Sequence, residues 1–299
     1  GPLRMRHARI RCLEASATRA VLGLRAVIDA VAPGTATLRT SVARHGDTTD
    51  AAAPTTHELA TVLAAGENRV EWTVTVDRPD LWWPRALGDQ PLYDVAVEVH
   101  AGDAPPTDAT PSHRHVVRTG LRTVEMRDWV VRVNGERLFL KGTNLGPTRH
   151  GLADATPEQV RADVTAAVDL GLDLVRVHSH IARPELYDAA DEAGILVWQD
   201  LPLQWGYARS VRRQAARQAR EAVDMLAHHP SVAVWCGHSE PLTVGTVTPA
   251  KGDVRPQVAA ELRRRVLGQV LPSWNRSILD RSIRRTLRAV DGTRPVIAH

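Results

Sequence analysis

The chain has 299 residues, of which 43% are hydrophobic, and its formal net charge is +4. This length is enough for two domains, and the absence of any run of about 18 apolar residues excludes a membrane-spanning helix. The two cysteines, Cys12 and Cys236, are too few for a disulfide framework or a cysteine metal site. The sequence therefore predicts neither a metal site nor a cofactor.

The excess positive charge comes almost entirely from arginine. Its densest cluster has spacings of three and four residues, which predict one solvated face of a helix. No aromatic residues are interleaved with these arginines and no nucleic-acid-binding motif accompanies them, so no nucleic-acid partner is predicted. The cluster consists of Arg209, Arg212, Arg213, Arg217 and Arg220.

Up to about residue 127 the hydrophobic pattern has a period of two, which is typical of half-buried β-strands. Turn-rich segments separate the alternating stretches, and no helical period is present. Six or seven short strands in about this length predict an immunoglobulin-like β-sandwich over residues 1–127. The predicted strands lie near residues 6–13, 20–31, 35–43, 70–76, 92–99 and 113–126.

Residues 129–140 predict a β-hairpin, because Asn134-Gly135 favours a type I′ turn. Strands and helices then alternate. Thr156, Pro157 and Gln159 form a capping-box pattern that predicts the start of a helix. This alternation predicts a parallel sheet with helical crossovers. Its strands are expected near residues 138–142, 172–178, 195–199, 231–236 and 295–298.

A parallel sheet of this kind can be open or closed into a barrel. No glycine-rich phosphate loop follows the first strand, which argues against a dinucleotide-binding fold. A complete (β/α)8 barrel needs about 250 residues, more than residues 128–299 supply. We therefore expect this segment to be the N-terminal part of a barrel, with about five strands.

Several motifs follow one another along the chain. They are Leu81-Trp82-Trp83-Pro84 with Gly88-Asp89-Gln90-Pro91-Leu92-Tyr93, Gly120-Leu121-Arg122-Thr123-Val124-Glu125, Phe139-Leu140-Lys141-Gly142-Thr143-Asn144, Leu174-Val175-Arg176-Val177-His178, Gly194-Ile195-Leu196-Val197-Trp198-Gln199-Asp200 and His229-Pro230-Ser231-Val232-Ala233-Val234-Trp235-Cys236-Gly237-His238-Ser239-Glu240. In this order they resemble motifs of glycoside hydrolase family 2. The first two resemble the sandwich of that family, the next resembles the entry to its barrel, and the others resemble its barrel strands. The double Trp is similar to the β-mannosidase and exo-β-glucosaminidase branch.

The resemblance implies a retaining glycosidase acting on β-glycosides, with Glu240 as the acid/base carboxylate. Retaining hydrolysis needs a second carboxylate as nucleophile, which the resemblance places on a later strand, beyond His299. Two positions depart from the family pattern. Ser239 stands where the family typically has Asn, and His178 stands where the branch with the double Trp often has Trp.

The resemblance also implies a set of substrate-binding residues at the ends of the strands. They are Arg176, His178, Asp200, Ser239 and Asn144. Arg176 is expected to orient the nucleophile, and Asp200 is either a ligand of a sugar hydroxyl or a structural carboxylate. His178 and His180 alternate with Ser179 and could share a metal ion, but no third ligand at zinc-like spacing accompanies them.

Two functions remain open at the level of sequence. The first is a β-mannosidase-like hydrolase that binds a β-linked glycoside, has no membrane or nucleic-acid partner and is inactive without the rest of the barrel, which another chain could supply. The second is a non-catalytic carbohydrate-binding or structural relative that kept the fold. The N-terminus has no secretory signal, which favours the cytoplasm without fixing the compartment.

Overall fold

The computed structural model describes residues 1–46, 54–102, 110–239 and 272–298, together with residues 260 and 263. Antiparallel sheets occupy the first part of the chain and a parallel sheet with helices occupies the second. The predicted fold class, a β-sandwich followed by part of an α/β barrel, is confirmed. None of the helices in these residues is long and apolar enough to cross a membrane.

Two antiparallel sheets form the sandwich, in the orders β1-β2-β5 and β4-β3-β6-β7. Alternate residues of both sheets are buried in a common core that includes Leu22, Leu38 and Val97. The strands are β1 (Leu3–Ala15), β2 (Arg19–Ala30), β3 (Gly34–Arg44), β4 (Thr55–Leu63), β5 (Gly66–Asp77), β6 (Tyr93–Ala101) and β7 (His113–Thr119).

A small three-stranded sheet follows, in the order β10-β9-β8. Asn134 and Gly135 both have positive φ, 49° and 86°, as the predicted type I′ turn requires. One face of this sheet packs beneath the parallel sheet, where Val131 and Leu196 belong to the same buried cluster. The strands are β8 (Val124–Arg127), β9 (Val130–Val133) and β10 (Glu136–Leu138).

The parallel sheet has five strands in sequential order, and each strand is parallel to its neighbours. One face packs against the helices and the other against β8–β10 and Trp82. The strands are β11 (Gly142–Leu145), β12 (Leu174–Val177), β13 (Leu196–Asp200), β14 (Val232–Cys236) and β15 (Val296–Ile297). The helices are α1 (Pro157–Asp169), α2 (Pro184–Ala193), α3 (Val211–Leu226) and α4 (Asp280–Val290), with a 3-10 turn at Leu152–Asp154 and a π-helical turn at Asn275–Leu279.

The first parallel strand begins later than the sequence predicts, at Gly142 rather than near residue 138. The backbone N–H of Lys141 donates to the carboxylate of Asp173 (3.2 Å), which directs this segment to the start of β12. A Cβ at residue 142 would lie only 2.8 Å from the carbonyl oxygen of Leu174, so glycine allows the two strands to meet there. Asn144 consequently lies within β11, not after it.

Buried polar contacts join the sandwich to the parallel sheet. The indole N–H of Trp82 donates to the carbonyl oxygen of Asp191 in α2 (2.9 Å). The guanidinium of Arg122 donates to the carbonyl oxygens of Pro230 (3.0 Å) and Val232 (2.7 Å). Burial lowers the pKa of Arg122 to about 9, which leaves it charged at neutral pH. These contacts fix the sandwich against the strand that leads to Ser239.

Candidate functional site

Polar side chains gather at the carboxyl ends of β12, β13 and β14. Arg176 and His178 come from the end of β12, Asp200 ends β13, and Ser239 follows β14. Because neighbouring parallel strands end at one edge of the sheet, the topology brings these four predicted residues together. Glu240, the predicted acid/base residue, lies outside the described residues, directly after Ser239.

Arg176 and Asp200 form an ion pair across the two strands. The Nη2 atom of Arg176 lies 2.9 Å from Oδ2 of Asp200, and Nε lies 3.1 Å from both carboxylate oxygens. The N–H of Ser179 also approaches this carboxylate, at 3.3 Å. Asp200 is fully buried, whereas the Arg176 side chain is 29% exposed. Asp200 therefore orients Arg176, and the guanidinium is the member of the pair that can reach a ligand.

The aromatic ring of Trp198 supports the same guanidinium. The Cζ atom of Arg176 lies 5.5 Å from the Trp198 ring centroid, within the range of a cation–π contact. Register places Asn144, Arg176 and Trp198 opposite one another on adjacent strands, so their side chains share one face of the sheet. Asn144 is exposed on the edge strand of this face.

His178 and Ser239 are hydrogen-bonded. Nε2 of His178 lies 2.9 Å from the hydroxyl oxygen of Ser239, which is only 1% exposed. The Ser239 backbone donates to the carbonyl oxygen of Leu203 (2.8 Å) and accepts from the N–H of Trp205 (3.1 Å). Ser239 is thus held by hydrogen bonds from its backbone and from its hydroxyl, the latter to the imidazole of His178.

Trp205 lies at the same edge of the sheet. The hydrophobic pattern of the sequence does not distinguish it from a tryptophan of the core. Trp205 is 48% exposed and adopts a positive φ of 66° beside Ser239. The buried His238 holds this loop, with Nε2 at 2.6 Å from the carbonyl oxygen of Trp205 and Nδ1 at 2.7 Å from Asp280. Trp235, by contrast, is fully buried within the core. The exposed loop after β13, rather than hydrophobic period, distinguishes the two tryptophans.

Cys236 and His180 are buried at the edges of the site. Burial raises the pKa of the Cys236 thiol to about 12, so the thiol is protonated at neutral pH and is not a nucleophile. Burial likewise lowers the pKa of His180, whose Nδ1 lies 3.0 Å from the carbonyl oxygen of His178. The ring of His180 is therefore neutral at pH 7, and its Nδ1 is engaged by the backbone of His178.

A group with metal-like spacing lies elsewhere, at the seam between α2 and the start of β14. Ligand atoms of Asp188, Asp191 and His229 lie within 4.8 Å of one another. Both Asp191 oxygens are already engaged, by Nδ1 of His229 (2.6 Å) and by the N–H of Ser231 (3.0 Å). These hydrogen bonds therefore stabilise the turn before β14.

The fold is a β-sandwich followed by a parallel sheet whose strand ends carry polar side chains. Residues 12–122 match the model of the family Glycosyl hydrolases family 2. The chain resembles this family over that segment, and it is a distant homologue of β-mannosidases.

The similar proteins are much longer than this chain. β-Mannosidase B of Aspergillus niger is 29% identical over 191 residues, which cover 58% of this chain and 21% of that protein. β-Mannosidase A of Aspergillus clavatus is 28% identical over 215 residues, covering 61% and 22%. The chain spans about a fifth of the length of these relatives.

Solved structures share the fold across the chain. A β-D-mannosidase from Dictyoglomus thermophilum aligns with a TM-score of 0.76 and 19% identity, covering 100% of this chain and 35% of that one. A β-glucuronidase from Parabacteroides merdae aligns with a TM-score of 0.72 and 19% identity, covering 99% and 33%. The chain thus corresponds in fold to about a third of each of these longer chains.

Proposed function

We propose that this chain supplies the sandwich and the first half of the catalytic barrel of a retaining β-glycosidase of the β-mannosidase type. The observation that carries the proposal is the group Arg176, His178 and Asp200 at adjacent strand ends, in a chain related to β-mannosidases. Barrel enzymes place their active-site groups at these ends.

Glu240 is proposed as the acid/base carboxylate. It follows Ser239, whose backbone and hydroxyl are both held by hydrogen bonds at the end of β14. A retaining glycosidase protonates the leaving oxygen with one carboxyl group and attacks the anomeric carbon with another, about 5 Å away. We propose that the second carboxylate comes from a part of the barrel that these residues do not contain, on this or another chain.

The other site residues are proposed to bind the sugar. Arg176 presents a guanidinium that Asp200 and Trp198 hold in one orientation, which suits a hydrogen bond to a ligand oxygen. His178 can offer its second ring nitrogen to a hydroxyl, and Asn144 is placed on the same side of the sheet as Arg176. We propose a β-linked glycoside as the substrate class.

The test is hydrolysis of 4-nitrophenyl β-D-mannoside by the full product of the gene that encodes this chain, with NMR detection of the first anomer released. We expect retention of configuration, and a loss on the order of 10²–10⁴ in kcat for Glu240→Gln. With a 2,4-dinitrophenyl leaving group, which needs little protonation, the loss in the glycosylation rate should be much smaller. Glu221→Gln, on the exposed face of α3, is the matched control and should keep full activity.

Two results would contradict the proposal. An unchanged rate for Glu240→Gln on the 4-nitrophenyl substrate would remove Glu240 from the acid/base role. Binding of mannosides without turnover of any mannoside, glucosaminide, galactoside or glucuronide would favour a non-catalytic carbohydrate-binding relative. The observation that favours this non-catalytic alternative is the hydrogen bond between Ser239 and His178. A buried hydroxyl at this position cannot bind the sugar.

A further inference from the structure

A concave surface of about 810 Å³ lies between α3 and α4, on the outer layer of helices. We call it the arginine groove. It is lined by Arg209, Ser210, Arg212, Arg213, Ala216, Arg220, Ser282 and Thr286. Among the residues that the structure describes, the lining contains no carboxylate and no aromatic side chain, and its polar groups are guanidinium and hydroxyl groups.

The arginines of the groove lack the carboxylate partners that several arginines elsewhere on this protein have. In the sandwich, Arg6 and Arg114 pair with carboxylates at 2.7 and 3.2 Å. Arg118, at the seam with α2, pairs with a carboxylate at 2.8 Å. Within the described ranges of the chain, none of the four arginines of the groove forms an ion pair with an acidic side chain. Four unneutralised guanidinium groups on one concave surface make an anion the complementary ligand.

The spacing along α3 shapes the groove. Residues 213, 216 and 220 of α3 are three and four apart, so they form one stripe about 10 Å long at 1.5 Å per residue, and Arg209 lies in the turn just before the helix. Ala216 is the small residue in the middle of this stripe and leaves room between the guanidinium groups. On the opposite wall the hydroxyl of Ser282 accepts from Nε of Arg212 (3.2 Å) and retains its own hydrogen for a ligand.

The groove starts near the candidate site. α3 follows β13 through residues 201–210, so its first turn lies towards the edge of the sheet where Asp200 ends the strand. That first turn contains no acidic residue, and the Ser210 side chain makes no capping hydrogen bond. The positive end of the α3 helix dipole adds to the potential that the arginines create.

We propose that the arginine groove binds a carbohydrate chain that carries sulfate or phosphate esters, at a site separate from the candidate active site. Guanidinium groups bind tetrahedral oxyanions through paired N–H donors, and the groove is large enough for several such groups, not one ion. The anionic character of the ligand rests on the groove alone, whereas its carbohydrate nature rests on the proposed function. The described lining residues include no aromatic side chain, which disfavours single-stranded nucleic acid, whose bases stack on such side chains.

The experiment measures binding by the full 299-residue chain to four probes at one ionic strength. The probes are dextran sulfate, dextran phosphate, uncharged dextran and a single-stranded oligonucleotide. We expect one or both dextran esters to bind, and the better of the two identifies the ester. Uncharged dextran should not bind, and the oligonucleotide should bind more weakly than the esters.

Two triple variants separate the groove from general positive charge. Arg209→Gln/Arg213→Gln/Arg220→Gln should raise the Kd of the bound ester by about tenfold or more. Arg284→Gln/Arg285→Gln/Arg288→Gln removes the same charge from exposed positions of α4 outside the groove and should change it by less than about twofold. Circular dichroism of both variants checks that the helices are intact.

Equal losses in the two variants, or no binding of either ester, would overturn the proposal. Tighter binding of the oligonucleotide would assign the groove to nucleic acid instead. Because no probe needs to be hydrolysed, these outcomes are independent of the mannosidase assay. Asp200→Asn should leave ester binding unchanged, and a loss there would place the ligand in the candidate active site.

Discussion

A single buried side chain, Arg294, organises the approach to β14. Its guanidinium donates to the carbonyl oxygens of Val232 (2.6 Å), Ala227 (2.7 Å) and His229 (3.0 Å), and pairs with Asp291 at 2.8 Å. These carbonyls belong to the turn where α3 ends and β14 begins. The position of the strand that leads to Ser239 therefore depends on one charged side chain and its carboxylate partner.

Asp291 provides a test at the scale of one residue. Burial alone would raise its pKa, but the charge of Arg294 and hydrogen bonds from Thr293 and Trp235 lower the pKa well below the usual carboxyl range. We expect Asp291→Asn to reduce the free energy of unfolding near neutral pH by about 3–5 kcal/mol, because it leaves a buried guanidinium unpaired. Urea denaturation measures this loss.

The same residue has a defined pH dependence. A carboxylate whose pKa is lowered in the folded state stabilises the protein above its unfolded pKa, which is about 4. That stability disappears as the pH falls from there towards the folded pKa, so the variant should lose less stability than the parent between pH 7 and pH 3. Asp29→Asn, in the exposed pair with Arg6, is the control and should cost less than about 1 kcal/mol. Similar costs for the two variants would refute the argument.

Individual site residues were predictable only in part from the sequence. Arg176 and Asp200 each follow an apolar strand run, which predicts their position at a sheet edge but not the ion pair between them. The bond between His178 and Ser239 joins residues 61 positions apart and depends on where the loop after β14 turns. No local pattern encodes that geometry.

At the scale of elements, the joint between α2 and the sandwich is a sensitive point. Gly194 ends α2 with φ +70°, and its carbonyl oxygen accepts from the N–H of Arg85 (2.9 Å). A Cβ at this position would lie 2.6 Å from the same nitrogen and 2.9 Å from the side chain of Gln90. Glycine is thus required both for the left-handed conformation and for the close approach of the sandwich loop.

A comparison of two glycines separates these requirements. Gly171 also has a positive φ, +68°, but no atom lies within 4 Å of the position that a Cβ would occupy there, so Gly171→Ala should cost only about 1–2 kcal/mol. Gly194→Ala should cost a further 1–3 kcal/mol or so, because the added methyl group must displace backbone. Chemical denaturation of both variants measures the difference. Equal losses would mean that the sandwich loop yields freely at this joint.

The sequence predicts the elements whose hydrophobic or capping pattern is strong. It misses the elements whose formation depends on tertiary contacts. The capping box at Thr156 and Gln159 forms as expected. The sequence does not predict β4, because only Leu63 of this edge strand is buried and its hydrophobic alternation is therefore weak. α4 was also missed, although Leu279, Ile283 and Leu287, four residues apart, give it a buried stripe.

At the scale of the whole molecule, the described part of the parallel sheet has two edge strands, β11 and β15. Large apolar side chains are also exposed at one end of the small sheet, Trp129 at 75% and Phe139 at 80%. Unpaired strand edges beside exposed aromatic residues favour pairing with another chain. We expect the isolated chain to self-associate.

Light scattering and sedimentation velocity test this expectation. Phe139→Ser should increase the monomer fraction, whereas Val62→Ser, which replaces an equally exposed apolar residue on the sandwich, should not. A chain that is monomeric at high concentration would show that its edges are protected. The two variants also distinguish association through the barrel end from association through the sandwich.

Retaining hydrolysis by the 299 residues alone would require both catalytic carboxylates to lie within them. Glu240, as proposed, could protonate a leaving oxygen, but a glycosyl-enzyme intermediate needs a second carboxylate near the anomeric carbon. Among the described residues at the strand ends, Asp200 is the carboxylate nearest to this role. It is fully buried and its oxygens are engaged by Arg176 and Ser179, so it cannot attack a sugar.

We therefore expect negligible turnover of aryl β-mannosides, glucosaminides, galactosides and glucuronides by the chain alone. The assay compares the purified chain with its Glu240→Gln and Asp200→Asn variants, using an activated aryl leaving group to make any slow reaction visible. Turnover by the parent that disappears in Asp200→Asn but leaves the fold intact would make Asp200 the nucleophile. Turnover lost only in Glu240→Gln would show that another nucleophile lies within these residues, and the requirement for the rest of the barrel would then be wrong.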